Sequence, residues 1–205
     1  GLEAAARDAR RAALLSAADE LGSNSVVLAH TREDQVETVL MRLFEGGGGR
    51  GMAGIRPVAP LLQTSSVTGD GVLLFRPMLD LTRAEILDYL EAREVTWVED
   101  ETNADESRLR NRIRRRVLPV IEECSGGDAG ALIASGAERV GALLEVLDTE
   151  VRNAELKFIS ETGAGETLIR PLGAAAGLAQ AVRAGLWRAA LDRSQGQPGE
   201  NRGRH

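Results

Sequence analysis

The stretch from Val26 to Gly49 constrains the fold of this chain more than any other part of the sequence. It opens with a short apolar run, VVLA, which follows the turn-forming residues Gly22–Ser25 and predicts a buried strand. Thr31 and Asp34 have the spacing of a capping box, which marks the start of a helix. Apolar residues then recur at helical spacing, namely Val36, Val39, Leu40, Leu43 and Phe44. The stretch therefore predicts a strand–loop–helix unit, and a run of glycines (46–49) ends the helix.

Three polar side chains lie where the predicted strand meets the predicted helix. His30 follows the strand directly, and Asp34 and Glu37 come on a helix face that differs from the apolar one. Ligands of open α/β sheets bind at the carboxyl ends of the strands, so these three residues are candidates for a site. The spacing alone is equally compatible with an ordinary polar first turn of a helix, and it names no chemistry.

A dense basic cluster lies further along the chain, where six of the nine residues from Arg108 to Arg116 are arginine. Leu109, Ile113 and Val117 recur every four residues, so a helix would bury these three and direct the arginines outward. Guanidinium groups bind phosphate oxygens through paired hydrogen bonds, which favours phosphate recognition by this cluster. A solvated helix face, offset by acidic residues just upstream, is the alternative interpretation.

The composition limits the classes of function. A formal net charge of -6 excludes a protein that is basic over its whole surface, so any nucleic-acid contact must be local. The single cysteine, Cys124, excludes an intrachain disulfide and a CxxC site, and it fits the reducing cytoplasm that we predict as the location. No apolar run approaches the ~20 residues that cross a bilayer, so we predict no membrane contact.

Several motifs together carry a resemblance to one enzyme family. His30–Arg42 and the glycines after it resemble the HTxDDQxETxLxR…RGxG block of the tRNA(Ile)-lysidine synthetases, which are ATP-dependent PP-loop enzymes. Other matching segments are Arg76–Leu79 (the family's RPLL), Thr82–Ile86 (TRxEI), Trp97–Asp105 (WxEDxSNxD) and Arg110–Arg114 (RNxxR). Residues 6–11, ARDARR, resemble the family's ARxxRY motif, with Arg11 in place of the usual tyrosine.

This resemblance implies an α/β fold: a Rossmann-like PP-loop domain, incomplete at its N-terminus, followed by a mainly helical domain. We expect the PP-loop part, with the arginine-rich helix, over residues 1–124, the helical domain over 125–193 and a disordered tail over 194–205. The family's SGGxDS nucleotide loop is not found in its expected context, and Ser125–Asp128 resembles only its first residues. We therefore expect a fragment that needs a separate N-terminal segment to supply this loop.

The implied activity is the ATP-dependent ligation of free L-lysine to C2 of the wobble cytidine in a tRNA(Ile) with a CAU anticodon. The reaction would pass through an adenylated tRNA, and Mg²⁺ would accompany the ATP, although no residue of this chain is predicted as a metal ligand. Without the SGGxDS segment, this chain alone is expected to be inactive. The oligomeric state stays open, with a homodimer among the options.

The resemblance also implies roles for individual residues. His30, Asp34 and Glu37 are the predicted catalytic residues, and His30 would relay a proton or orient a phosphate. The two carboxylates, together with Arg7 and Arg10, are predicted to bind lysine or ATP, since carboxylates are natural partners of ammonium groups. The residues predicted to contact tRNA or phosphate are Arg83, Arg110, Asn111, Arg112, Arg114 and Arg115.

Two other functions remain open from the sequence. A related PP-loop enzyme such as a tRNA thiolase needs several cysteines for its sulfur chemistry, and Cys124 alone argues against it. A non-catalytic fragment that binds RNA through its arginine cluster is the second alternative. Transfer of lysine to tRNA distinguishes both from the ligase.

Overall fold

The computed structural model describes residues 2–61, 71–98, 108–161, 167–169 and 175–194. Its helices are α1 (Leu2–Glu20), α2 (Arg32–Phe44), α3 (Gly49–Met52), α4 (Arg83–Ala92), α5 (Leu109–Arg112), α6 (Leu118–Ser125), α7 (Ala129–Phe158) and α8 (Gln180–Ser194). A π-helical segment, Ile113–Val117, joins α5 to α6. The strands are β1 (Ser25–Val27), β2 (Val58–Pro60), β3 (Leu73–Phe75), β4 (Ile159–Glu161) and β5 (Thr167–Ile169).

The chain divides into two compact units. The first comprises Gly1–Pro60 with Val72–Gly141, and the second comprises Leu61–Gly71 with Ala142–His205. The domain ranges expected from the sequence stay a prediction, as does the Rossmann-like character of the first. Of the predicted tail, only Ser194 is described, and it ends α8 instead. Residues 195–205 and most of the Trp97–Asp105 loop lie outside the described residues.

The sheet of the first unit has the strand order β1-β3-β2. Strands β1 and β3 are parallel, with Val26 opposite Leu74, whereas β2 and β3 are antiparallel, with Ala59 opposite Leu74. Strands β2 and β3 thus form an antiparallel pair, and most of the segment that links them lies outside the described residues. The parallel pair brings the carboxyl ends of β1 and β3 side by side.

A small aliphatic core holds the arginine-bearing helices against α2. Val36, Leu40 and Ile113 are buried at its centre, with exposed fractions of 1%, 5% and 0%. The partly buried residues around them are Met41, Leu109, Val117, Leu118, Ile121, Ile133 and Ala134. The predicted packing of the 109, 113 and 117 positions is confirmed, and this core fixes where the arginines between them point.

The apolar stripe of α2 is shorter than the sequence predicts. Val36, Val39 and Leu40 are buried as expected, but Leu43 and Phe44 are 49% and 56% exposed. The prediction for these two residues is wrong because the helix ends at Phe44 and its last turn runs past the core. Helical periodicity predicts which face of a helix a residue lies on. It does not predict how much of the helix length is covered by the surface that packs against that face.

Two polar side chains of α2 hold the glycine-rich loop that follows it. The Gln35 amide accepts a hydrogen bond from the Ile55 N–H at 2.5 Å and donates to the Ile55 carbonyl at 3.3 Å. The Arg42 guanidinium donates to the Gly54 carbonyl at 2.6 Å. Gly54 has a φ of +62°, and a Cβ there would overlap the side-chain oxygen of Gln35. The loop therefore approaches α2 so closely that this position requires glycine.

Gly54→Ala is expected to lower the free energy of unfolding by about 1–3 kcal/mol, because alanine is strained at positive φ and displaces the Gln35 amide. Gly48→Ala is the matched control, since its φ of -69° suits any residue and nothing lies within 4 Å of an added Cβ. Urea unfolding of both variants tests this. Equal unfolding free energies for the two variants would contradict the assignment.

The second unit has its own core, formed by α7, α8 and the antiparallel pair β4–β5. Val151, Phe158 and Leu186 are among its buried residues, and Gly185 lets α8 approach Val151 closely. No helix among the residues described here is long and apolar enough to cross a membrane.

Candidate active site

His30 and Arg76 lie at the carboxyl ends of the adjacent parallel strands β1 and β3. The ladder continues for one more residue, where the Leu28 N–H donates to the Phe75 carbonyl at 2.8 Å. Arg76 donates from Nη1 to the Arg56 carbonyl at 2.7 Å. Within the described part of the chain, the buried Nδ1 of His30 and the buried Nε of Arg76 have no hydrogen-bond partner.

The surroundings of His30 favour its neutral form. Burial lowers the pKa of His30 from its ordinary value of 6.5, and the positive charges of Arg76, Arg110 and Arg10 lower this pKa further. The Asp34 carboxylate acts in the opposite direction but does not outweigh burial. Neutral imidazole can accept a proton near pH 7, which suits a group that removes a proton from a substrate.

The lowered pKa of His30 makes the fold sensitive to acid. The unfolded chain binds a proton at about pH 6.5 but the folded chain resists it, so this contribution to stability is present above that pH and is lost as the pH falls below it. His30→Gln is expected to flatten the dependence of the unfolding free energy on pH below about 6.5. Urea titrations at several pH values measure it, and an unchanged slope would contradict the neutral form.

Thr31 fixes the carboxylate of Asp34. The Thr31 N–H donates to Asp34 Oδ2 at 2.8 Å, and the Thr31 hydroxyl donates to the same oxygen at 3.3 Å. This is the predicted capping box at the start of α2, and it is confirmed. Because Oδ2 is held by Thr31, the other oxygen, Oδ1, faces the arginine-bearing helix.

Glu37 is 1% exposed and pairs with two arginines. Arg110 donates from Nε to Glu37 Oε2 at 2.5 Å and from Nη2 to Asp34 Oδ1 at 2.6 Å. Arg114 donates from Nε to Glu37 Oε1 at 2.5 Å, and this bond raises the pKa of Arg114. We call these four side chains the carboxylate–arginine cluster. It contains two carboxylates and two guanidinium groups, so its formal charges balance.

The prediction that the whole arginine cluster points outward is wrong for Arg110 and Arg114. Arg110 and Arg114 are four positions apart, which is about one helical turn. Both therefore lie on the side that faces Glu37, next to the buried Ile113. Arg112 and Arg115 are exposed on the other side, as predicted, and Asn111 is 8% exposed. The π-helical turn begins between the two paired arginines, and such turns occur frequently at functional sites.

The remaining predicted residues lie outside this cluster. Arg10 is exposed on α1, near enough for its charge to affect His30, and Arg7 lies in the same helix, with its side chain outside the described part. Arg83 begins α4, and its N–H donates to the Glu33 carboxylate at 2.9 Å. Arg76 was not predicted as a site residue, although it follows β3 as His30 follows β1. That shared position was the signal available in the sequence.

The chain belongs to the PP-loop family, because residues 1–121 match the family's PP-loop domain. The fold and site agree with this assignment: a sheet with a parallel strand pair carries polar side chains at the carboxyl ends of those strands.

More specific similarity is found to proteins named tRNA(Ile)-lysidine synthase. The relative from Bradyrhizobium diazoefficiens is 40% identical over 149 residues, which is 72% of this chain and 38% of the relative. The relative from Solibacter usitatus is 44% identical over 118 residues, 56% of this chain and 24% of the relative. The relative from Geobacter sulfurreducens is 38% identical over 166 residues, 80% of this chain and 33% of the relative. This chain therefore spans well under half the length of these relatives.

Proposed function

We propose that this chain is part of an ATP-dependent ligase that joins L-lysine to C2 of the wobble cytidine of tRNA(Ile) with a CAU anticodon. The observation that carries the proposal is the pair of carboxylates, Asp34 and Glu37, beside the neutral His30 at the strand ends of a PP-loop domain. The relatives named tRNA(Ile)-lysidine synthase support the choice of substrate.

In the first step, the C2 oxygen of the cytidine attacks the α-phosphate of ATP, and pyrophosphate leaves. In the second step, the ε-amine of lysine attacks C2, and AMP leaves with the former C2 oxygen. Asp34 and Glu37 would hold an ammonium group of the lysine. His30, which burial keeps neutral, would take the proton that the attacking amine loses.

The arginines would serve the anionic partners. Arg112 and Arg115 are exposed on the helix face opposite the carboxylates, where tRNA phosphates can reach them. Arg10 and Arg76 add positive charge around His30, where a phosphate or the leaving pyrophosphate would be stabilised. ATP binding would also need the nucleotide loop that the SGGxDS motif supplies in the family.

The described residues do not form a magnesium site on their own. No group of three or more His, Cys, Asp or Glu side chains that could hold a metal ion is found among them. Asp34 and Glu37 are engaged by guanidinium groups, which repel a cation. Mg²⁺ would therefore be held chiefly by ATP phosphates and water.

The proposal is tested by transfer of radiolabelled lysine to a tRNA(Ile) transcript with a CAU anticodon in the presence of ATP. The assay uses this chain alone and a version with an SGGxDS-containing segment placed ahead of Gly1. We expect label only with the longer version, and no label on a transcript whose wobble base is not cytidine. Absence of label from both versions, with RNA binding intact, would favour the non-catalytic RNA-binding alternative.

Asp34→Asn is expected to raise the KM for lysine by about tenfold or more and to leave the KM for ATP nearly unchanged, because one charged contact to the amine is worth about 1.5–3 kcal/mol. Steady-state kinetics with each substrate varied in turn measures this. A matched control is Asp88→Asn, which changes an exposed carboxylate on α4. Equal increases in both KM values would move Asp34 out of the lysine pocket.

A further inference from the structure

Every oxygen of the two carboxylates proposed to bind lysine already has a partner within the chain. Thr31 holds Oδ2 of Asp34, and Arg110 holds Oδ1. Arg110 and Arg114 each hold one oxygen of Glu37. The guanidinium groups thus stand where the ammonium group of a substrate would bind.

A third cation cannot join this cluster without cost. The formal charges of the carboxylates and guanidinium groups already balance, and Glu37 is 1% exposed, so water screens an added charge poorly. An ammonium group of lysine that enters must therefore replace a guanidinium group.

The arginines, unlike Glu37, are able to leave. The side chains of Arg110 and Arg114 are 40% and 36% exposed, and each ends a long stem that can turn toward solvent. Glu37 is buried on α2, where it follows the core residue Val36 directly. Displacement therefore moves the arginines and leaves the carboxylates in place.

We infer that Arg110 and Arg114 act as an internal substitute for the lysine substrate, and that bound lysine releases them to bind RNA phosphates. This inference rests on the proposed function of the same site. The released guanidinium groups would join the exposed Arg112 and Arg115 on the same helical run. Lysine and tRNA would then bind cooperatively, because each favours the state in which the arginines have left the carboxylates.

The first test observes the arginines directly in the full chain. Arginine Nε–H groups that donate to a buried carboxylate exchange slowly with water, so Arg110 and Arg114 should each give an ¹⁵N–¹H signal, assigned by Arg→Lys substitution at each position. We expect L-lysine to shift or remove at least one of the two signals. Hexanoate, a chain of similar length that carries no ammonium group, should leave both unchanged.

The second test measures the dissociation constant of the tRNA(Ile) transcript over a range of salt concentrations, with and without saturating L-lysine. We expect lysine to tighten binding by about 5- to 150-fold, the usual range of coupling between two sites. The slope of log affinity against log salt should become steeper by about 0.7–0.9 for each released arginine, because each adds a phosphate contact.

Three variants distinguish the replacement of arginine by lysine at the carboxylates from RNA binding that does not depend on lysine. Glu37→Gln releases Arg114 but leaves Arg110 paired with Asp34, so it should tighten RNA binding in the absence of lysine and should reduce the further effect of lysine. If that variant does not fold, Arg114→Gln should reduce the lysine-dependent change in slope, because it removes one of the arginines that can be released. Arg115→Gln is the matched control: it should weaken RNA binding equally with and without lysine.

Three results would overturn the inference. Lysine that binds and is transferred to tRNA, but leaves both Nε–H signals and the RNA affinity unchanged, would refute the exchange and leave the proposed ligase intact. Lysine-dependent coupling that is as large in folded Glu37→Gln as in the unaltered chain would place its origin elsewhere. Lysine that neither binds nor is transferred would refute the proposed function itself.

Discussion

Glu37→Ala is expected to lower the free energy of unfolding by about 3 kcal/mol and to abolish lysine transfer. Breaking a buried ion pair costs about 3–5 kcal/mol when one partner is removed. The lower end applies here because Arg110 and Arg114 are 40% and 36% exposed and can turn to water once Glu37 is gone. Transfer of lysine is lost because alanine removes the buried carboxylate, and the remaining carboxylate, Asp34, stays paired with Arg110.

Urea unfolding measures the first effect, and labelled-lysine transfer by the version with the nucleotide loop measures the second. Glu91→Ala, an exposed change on α4, is the control and should stay within about 0.5 kcal/mol of the unaltered chain. Glu37→Gln separates charge from volume, since it keeps the shape and removes the charge. Full lysine transfer by a folded Glu37→Ala variant would exclude Glu37 from the substrate site.

Local sequence signals predicted the elements that surround the site. The capping box of Thr31 and Asp34 starts α2 where the spacing indicated, and Thr82 and Glu85 form the same motif at the start of α4. These signals succeed because the groups that bond to each other are three residues apart and need no distant partner. The apolar run before His30 also predicted a strand, but the prediction that this strand is buried is wrong, because Val27 in β1 is 66% exposed.

The carboxylate–arginine cluster was not predictable in this way. Glu37 bonds to Arg110 and Arg114 across sequence separations of 73 and 77 residues, so its existence depends on how two helices pack. Periodicity correctly indicated that Ile113 is buried. It did not indicate that Ile113 packs against α2, and that packing places the adjacent arginines beside Asp34 and Glu37. From the sequence alone, a helix face rich in arginine is predicted to face solvent, because the carboxylates that pack opposite it are not known.

Because the positions of the arginines depend on this packing, we expect substitution of Ile113 to have a large effect on both stability and the site. Ile113 is 0% exposed at the centre of the core that joins α2 to the arginine-bearing helix. Ile113→Ala removes buried methyl and methylene groups and leaves a cavity, which is expected to cost about 2–5 kcal/mol of unfolding free energy. Ile113→Val should cost about 0.5–1.5 kcal/mol, because it removes a single methylene.

The same substitution should also disturb the site, because Arg110 and Arg114 lie on either side of Ile113 along the helix. A cavity there loosens the contact with Val36 and Leu40, and the geometry between guanidinium and carboxylate groups loosens with it. We expect the Nε–H signals of both arginines to exchange faster in Ile113→Ala, even in conditions where the variant remains folded. Val120→Ala, at a position 56% exposed on α6, should change neither stability nor exchange. Unchanged exchange in Ile113→Ala would mean that the carboxylates hold the arginines without help from the core.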